Sequence, residues 1–360
     1  MARLRVLTVV GARPQFVKAA AISRAIEACD HDINEILVHT GQHFDPDMSQ
    51  VFFDELGLEP PHVNLGIHGG GHGEMTGRML AGLERVIIET RPDLVLVPGD
   101  TTSTLAGALA AAKLLVPVVH LEAGLRSFNR RMPEEINRVL TDHLSALLLC
   151  PTETAVANLR REGIVEGVHN IGDVMYDAAL FVAAASQDSQ ILDRLGLTEH
   201  SYALATVHRA ENLADCETLR EILSFLNQQA RDLPVLFSLH PRTREQIVAR
   251  GLDLGEILPC DPLGYLDMQR LLRSAAIVFT DSGGLQKEAY FHRVPCVTLR
   301  SETEWVETLE AGWNRLWKEP NYAPRREITA FGDGHAAEKA VELLVGFLKC
   351  SPRAESAPLS

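Results

Sequence analysis

LRVLTVVGARPQFVKAAAISRAIEA, Leu4–Ala28, is the stretch whose reading decides the fold. Its first seven residues are apolar almost without a break, as expected of a strand buried on both faces of a parallel sheet. Gly11 then permits a tight turn, and Pro14 suits an early helical position. PQFVKAAAISRAIEA repeats its apolar residues at three- and four-residue spacing, which predicts a helix. A strand that turns directly into a helix is half of a βαβ unit, and the unit recurs. INEILVH, LVLVP, VPVVH and ALLLC are further strands, with EMTGRMLAGLERVIIET among the intervening helices. The pattern restarts after Ile171-Gly172-Asp173 with YALATV, LPVLFSL, AIVFT and VPCVTL. The expected architecture is α/β: two Rossmann-like doubly wound domains facing a cleft, 1–170 and 171–360. HAAEKAVELLVGFLKC reads as a closing helix of the second, one that can pack on either domain. The final SPRAESAPLS lacks periodicity and reads as frayed.

A chain of 360 residues exceeds one ordinary core and suits two. No apolar run approaches the roughly 20 residues needed to cross a bilayer, which sets a membrane partner aside. The early interruption of the first apolar run by Gly11, Arg13 and Pro14 argues against a leader. Six scattered cysteines without a C-x-x-C pair argue against zinc and against a disulfide scaffold, so the cytoplasm is the expected compartment. The net charge of −14, without a run of basic residues, argues against nucleic acid. A small anionic ligand is compatible with it, because backbone dipoles and a few cations bind phosphate locally.

In open α/β sheets ligands bind beyond the carboxyl ends of the strands, so the residues just after strands carry the functional weight. In the first turn, Arg13 can meet a phosphate in bidentate fashion, with Lys18 one turn further on. The alternative is a plain turn with two solvated cations. TDSGGLQKEA presents Ser282, Gly283 and Gly284 at a helix start, where unblocked N–H groups and the macrodipole suit a diphosphate. Glu288, a turn later, can accept from the two hydroxyls of a ribose; an ordinary capped helix is the other reading. Asp100 follows LVLVP, Glu122 follows VPVVH, and Glu134 stands beside Glu135 behind Pro133. Carboxylates gathered at two strand ends repel and raise one another's pKa, which prepares one to donate and another to accept a proton. Arg126 and Arg138 are placed to moderate that repulsion. Glu134 or Glu135 can equally be a helix cap. His208 and Arg209 after YALATV can bind phosphate or move a proton. LHPRT repeats the arrangement at His240. Gln42 and His43 read as cleft-edge groups or a helix entry, and His68 and His72 as part of a flexible glycine loop.

GARPQFVK, TGQH, PGDTTS, HLEAGLRS, MPEEINR, PTETAVANL, TVHRAEN, DSGGLQKEA and TEWVE occur in this order across residues 11 to 307. In this the chain resembles the non-hydrolysing UDP-N-acetylglucosamine 2-epimerases. The resemblance implies a fold like that of GT-B glycosyltransferases and a UDP-sugar substrate. It also implies epimerisation at C2 without cofactor or metal, and a homodimer. The implied chemistry is elimination of UDP with loss of the C2 proton, then re-addition with a proton delivered to the other face. Carried over by motif, Asp100, Glu122, Glu134 and His208 are the essential residues. Arg13, Lys18, Arg138, His240, Ser282, Gly283, Gly284 and Glu288 serve the substrate. Gln15, Phe44, Asp45 and Trp305 depart from the usual UDP-GlcNAc pattern, the middle two where a second, activating UDP-GlcNAc is bound. GARPQFVKAA, the SFN-x-RMPEEINR style and TEWVE resemble the subgroup acting on UDP-2,3-diacetamido-2,3-dideoxyglucuronic acid in surface-polysaccharide synthesis. Arg130 and Arg131 are then candidates for its C6 carboxylate, while UDP-GlcNAc stays equally open. A retaining glycosyltransferase, a hydrolysing epimerase and a nucleotide-sugar sensor are the competing readings.

Overall fold

The computed structural model describes residues 4–42 and 53–350, in two units. The first comprises the chain up to Ala178 together with the residues from Ala330 on; the second is Ala179–Thr329.

The first unit runs β1 (Leu4–Val10), α1 (Arg13–Ala28), β2 (Ile33–His39), β3 (Val63–Asn64), α2 (His72–Thr90), β4 (Leu94–Pro98) and α3 (Thr102–Lys113). It continues with β5 (Val118–Leu121), α4 (Pro133–Leu144), β6 (Leu147–Cys150), α5 (Glu153–Arg161), β7 (Val168–Asn170) and the start of α6 (Val174–Val182). The seven strands are parallel in the order 3-2-1-4-5-6-7. Strand order therefore reverses between β1 and β4, which makes the loops after those strands the predicted ligand crevice of this unit. Strand periodicity decides what covers each face: Leu7, Val9, Val95 and Val97 bury against Met79 and Leu83 of α2 and against the alanines of α3. Thr101 caps α3 by accepting from the Thr104 N–H at 3.3 Å.

The second unit contains the rest of α6, then α7 (Ile191–Leu195), β8 (Ala203–Thr206), α8 (Ala210–Ala214), α9 (Cys216–Ala230), β9 (Val235–Ser238) and α10 (Pro241–Ala249). It closes with β10 (Leu258–Cys260), α11 (Tyr265–Ser274), β11 (Ile277–Thr280), α12 (Gly283–Phe291), β12 (Cys296–Thr298), α13 (Val306–Glu310) and β13 (Asn314–Leu316). The order β10-β9-β8-β11-β12-β13 repeats the first sheet's reversal, here between β8 and β11. Ala203, Ala205 and Val207 face α9, whereas Tyr202 and Leu204 face α11 and α12.

Both doubly wound sheets are as expected. The division of the chain differs in two respects from the boundary expected near residue 170. It falls at Ala178–Ala179, and α14 (Ala336–Cys350) packs on α1 of the first unit. Backbone and side-chain bonds tie the returning chain down: Asp173 N–H donates to Phe331 O at 3.0 Å, and Ala337 N–H to Asp177 Oδ2 at 2.7 Å. The edge strands β3, β7, β10 and β13, each of two or three residues, are too short to show a period in sequence. His72 opens α2 with Gly71 at its N-cap, and Arg78 binds the carbonyls of His68 and Gly69, so that stretch is not the free loop its glycines suggest.

Candidate active site

In the first unit the β1–α1 turn is closed by its own side chain. Gln15 Oε1 accepts from the N–H groups of Gly11 and Ala12 at 2.8 and 3.0 Å. Its Nε2 donates to Pro98 O at 2.8 Å and to Thr104 Oγ1 at 3.0 Å. The backbone donors that an anion would use are therefore occupied, and the turn is bolted to the end of β4 and the start of α3. Gly11 is required for closeness rather than for tightness, since a Cβ there would overlap Ser103 Oγ and Thr40 Oγ1. Arg13 opens α1 half-buried. Lys18 is not a solvated cation: it is buried, and its Nζ pairs with Glu122 Oε2.

Asp100 and Glu122 each face a cation. Arg138, 1% exposed, donates Nη2 to Asp100 Oδ2 and Nη1 to Glu135 Oε2 at 2.8 Å. Asn137 Nδ2 holds the Asp100 carbonyl at 2.9 Å. The expected mutual repulsion of the carboxylates is thus answered pair by pair, by Lys18 for Glu122 and by Arg138 for Asp100. The two loops meet: a Cβ placed on Gly99 would lie 3.1 Å from Lys18 Nζ and 3.7 Å from Glu122 Oε2. Glu122 itself has φ of 73°, a left-handed conformation that costs a non-glycine residue about 1 kcal/mol or more. Its N–H is anchored on Leu149 O at 2.9 Å.

The two glutamates behind Pro133 divide their work. Glu135 is structural, accepting from Ser127 N–H (2.9 Å), Ser127 Oγ (3.0 Å) and Phe128 N–H (2.8 Å), and so pinning the loop before α4. Glu134, in the first turn of α4, makes none of these bonds. Arg126 does not serve Asp100 or Glu122 as expected. Its Nη1 meets Asp142 Oδ2 at 2.7 Å, and it grips Glu162 through Nε and Nη2, each at 2.7 Å.

Sequence reasoning passed over the buried network beneath this site. His120, fully buried in β5, reaches Asp142 Oδ1 through Nδ1 at 2.6 Å and Gly99 O through Nε2 at 2.7 Å. Both partners are acceptors, so both ring nitrogens carry hydrogen. Asp142 also accepts from Gly124 N–H at 3.2 Å. One histidine–aspartate pair therefore holds the loop of Asp100 and the loop of Glu122. Burial alone would raise the pKa of Asp142, but His120 and Arg126 outweigh it and hold the carboxyl below the usual range. The signal in sequence was a histidine inside an apolar strand. Gln42 joins the rim through Ser103 Oγ at 2.9 Å; His43, Phe44 and Asp45 lie outside the described residues.

In the second unit, Asp281 is the organiser. Fully buried after β11, it accepts from His208 N–H at 2.9 Å, Arg209 N–H at 2.9 Å and Asn212 Nδ2 at 3.0 Å, joining the loops on either side of the strand-order reversal. The His208 ring, 38% exposed, keeps Nδ1 3.3 Å from Asp281 Oδ1. His240 lies with its ring 6.1 Å from that of His208. It caps α10 by accepting from Arg242 N–H at 3.2 Å.

At the start of α12, Ser282 is the N-cap, with Oγ 3.4 Å from Leu285 N. A Cβ on Gly283 would overlap Glu304 Oε1 and lie 3.2 Å from Trp305 Nε1, whereas one on Gly284 would make only an ordinary contact with Ser282 Oγ at 3.9 Å. Glu304 is itself bracketed by Arg300 (3.0 Å) and Arg209 (3.8 Å), so two guanidinium groups stand near the helix N-terminus. Trp305, flagged as a departure, is buried and stacks under the fully buried Lys287, whose Nζ lies 3.7 Å from the ring centroid. Glu288 is buried one turn along and accepts from Tyr265 OH at 3.0 Å and Gln269 Nε2 at 2.8 Å.

Two Rossmann-like units, one with cation-paired carboxylates at its strand-order reversal and one with a glycine helix start at the same place, match a known sequence profile. The profile describes UDP-N-acetylglucosamine 2-epimerase and covers residues 25–345. The chain belongs to this family. A UDP-2,3-diacetamido-2,3-dideoxy-D-glucuronate 2-epimerase of Pseudomonas aeruginosa is 52% identical over 318 residues, 87% of this chain and 88% of the relative. A UDP-N-acetylglucosamine 2-epimerase homolog of Methanococcus maripaludis is 47% identical over 95% of this chain and 99% of its own. The Methanocaldococcus jannaschii UDP-GlcNAc 2-epimerase, solved with UDP-GlcNAc and UDP, superposes with a TM-score of 0.88 at 39% identity, over 96% of this chain and 100% of that one. The chain therefore has the GT-B-like fold of the family's epimerases, built of two Rossmann-like units.

Proposed function

We propose that this protein is an isomerase that inverts C2 of a UDP-2-acetamido sugar, and that the sugar is 2,3-diacetamido-2,3-dideoxyglucuronic acid. The observation that carries the chemistry is the pair of carboxylates at the reversal of the first sheet, Asp100 and Glu122, each held by its own buried cation. In elimination the C1–O bond to UDP breaks, positive charge develops at C1, a carboxylate takes the C2 proton, and the C1=C2 bond of a glycal forms. Re-addition returns UDP to C1 and a proton to the opposite face of C2. Groups on two faces are needed, and Asp100, Glu122 and Glu134 supply them; general acid–base assistance of this kind contributes about 10²–10⁴-fold. A carboxylate locked to one cation keeps its orientation while its charge stabilises the developing cation.

The second unit binds UDP. The Ser282-Gly283-Gly284 helix start, Arg209 and His208 receive the diphosphate, and Glu288 receives the ribose diol. His240 completes the phosphate contacts of this unit, and Arg13 is the phosphate candidate of the first. The choice of sugar is supported by the 52% identity with the Pseudomonas aeruginosa enzyme and by Arg130 and Arg131, both exposed on the loop that Glu135 pins, as partners for a C6 carboxylate. Turnover of each sugar, followed by separation of the epimers, tests the choice. The diacetamido uronic substrate should show a kcat/KM at least ~10-fold above UDP-GlcNAc, as a charge-assisted contact allows. Replacing both arginines by Ala should erase that preference. Equal losses for both sugars, or a wild-type preference for UDP-GlcNAc, would remove the uronic acid from the assignment.

The family resemblance extends to a homodimer acting in the cytoplasm. Ile136 and Leu140, one turn apart on α4 and 48% and 47% exposed, offer an apolar face for a second copy. Five described cysteines are free thiols, in keeping with a reducing compartment. Sedimentation should find a dimer that Ile136→Asp dissociates; a monomeric wild type would refute the pairing.

A further inference from the structure

Two helices of the second unit interlock through four polar side chains, each helix giving a pair at i,i+4 spacing. Tyr265 and Gln269 come from α11. Glu288 of α12 and His292, which caps it, come from the other side. Gln269 is fully buried, Tyr265 is 3% exposed and Glu288 6%. His292 Nε2 meets Gln269 Oε1 at 2.6 Å, Gln269 Nε2 donates to Glu288 Oε1 at 2.8 Å, and Tyr265 OH donates to the same oxygen at 3.0 Å. We infer that Gln269, clamped by His292 and assisted by Tyr265, is the positioning residue that sets the carboxylate of Glu288 for the ribose diol of the nucleotide. The inference rests on the reading of Glu288 as the ribose ligand.

The direction of every bond in the chain is determined. A carboxylate only accepts, so the amide NH₂ of Gln269 must face Glu288. The amide oxygen then faces His292, and Nε2 of that ring must carry the hydrogen. Burial, with Arg273 nearby, lowers the His292 pKa to about 4, so near neutrality the ring is uncharged and donates through that one N–H. Two donors on a single oxygen fix both the rotamer and the plane of the carboxylate. A diol needs that plane set in advance, since otherwise binding must freeze the side chain.

Nucleotide titration of the full-length protein tests this with UDP and 2′-deoxy-UDP. A hydrogen bond to a charged group is worth about 1.5–3 kcal/mol, so wild type should bind UDP about tenfold or more tighter than the deoxy analogue. Gln269→Met, close in size, and Tyr265→Phe, which removes one hydroxyl, should weaken UDP by about three- to tenfold. Binding of 2′-deoxy-UDP should change less than about twofold, and the rise should appear in KM with kcat kept, because ribose is held alike in ground and transition states. A purely structural role predicts equal weakening of both nucleotides, and that result, or an unchanged preference for UDP in both variants, would overturn the inference. A wild type indifferent to the 2′-hydroxyl would instead remove Glu288 from the ribose, and the role of Gln269 with it.

Discussion

Asp142 illustrates how one buried residue can decide the geometry of two others, here the proposed catalytic carboxylates Asp100 and Glu122. It holds His120 and Arg126, and through His120 and Gly124 it spans the loops that carry Asp100 and Glu122. Removing its charge takes the carboxylate from the buried His120 and leaves Arg126 with Glu162 alone, so Asp142→Asn should cost about 3–5 kcal/mol near neutral pH. Because the folded carboxyl titrates below its unfolded value, its contribution is fully present above about pH 4 and is lost as pH falls through the folded pKa. Urea unfolding of both proteins from pH 7 to pH 3 should therefore show the wild-type advantage shrinking only at the acid end. An advantage independent of pH, or absent at pH 7, would place the stabilisation elsewhere. Gln15 makes a related point about residue identity. Its amide nitrogen donates to Pro98 O, which an ionised Glu at that position cannot do.

At the scale of elements, the start of α12 depends on close packing as much as on its dipole. Glu304 and Trp305 stand where any side chain on residue 283 would go. Gly283→Ala should push them away and weaken UDP binding by about tenfold or more, the scale of a lost charge-assisted contact, with little change in the melting of the first unit. The same titration on Gly284→Ala should show a smaller loss, since a Cβ there meets only Ser282 Oγ at an ordinary 3.9 Å. Equal effects at the two glycines would mean that packing against Glu304 does not shape the site. These elements also show what sequence can reveal. The strands β1, β2 and β4 were legible to the residue because they combine an apolar run with a clear stop. The start of α2 was not, since the glycines before it mask its N-cap. Asp100, Glu122 and Glu288 could be singled out as candidates from their place after strands or in a helix start. Their partners His120, Asp142 and Gln269 could not, because a polar residue in an apolar element declares itself only when the distant group that satisfies it is known.

For the whole molecule, the two sheets repeat one strand order around their reversals. The first unit holds three candidate carboxylates, two of them, Asp100 and Glu122, paired with buried cations; the second holds a helix start and a buried glutamate suited to a nucleotide. Periodicity recovered both sheets, but the ownership of α14 depended on long-range contacts with α1, which no local pattern reports. The proposed reaction is one in which a carboxylate removes the C2 proton while UDP departs. Proton NMR of the turnover in deuterated water tests that claim most directly. The account predicts a manno product bearing deuterium at C2 from the UDP-diacetamido uronic acid, with the nucleotide still attached at equilibrium. Epimerised product that retains its C2 hydrogen, or free sugar accumulating beside UDP, would contradict it.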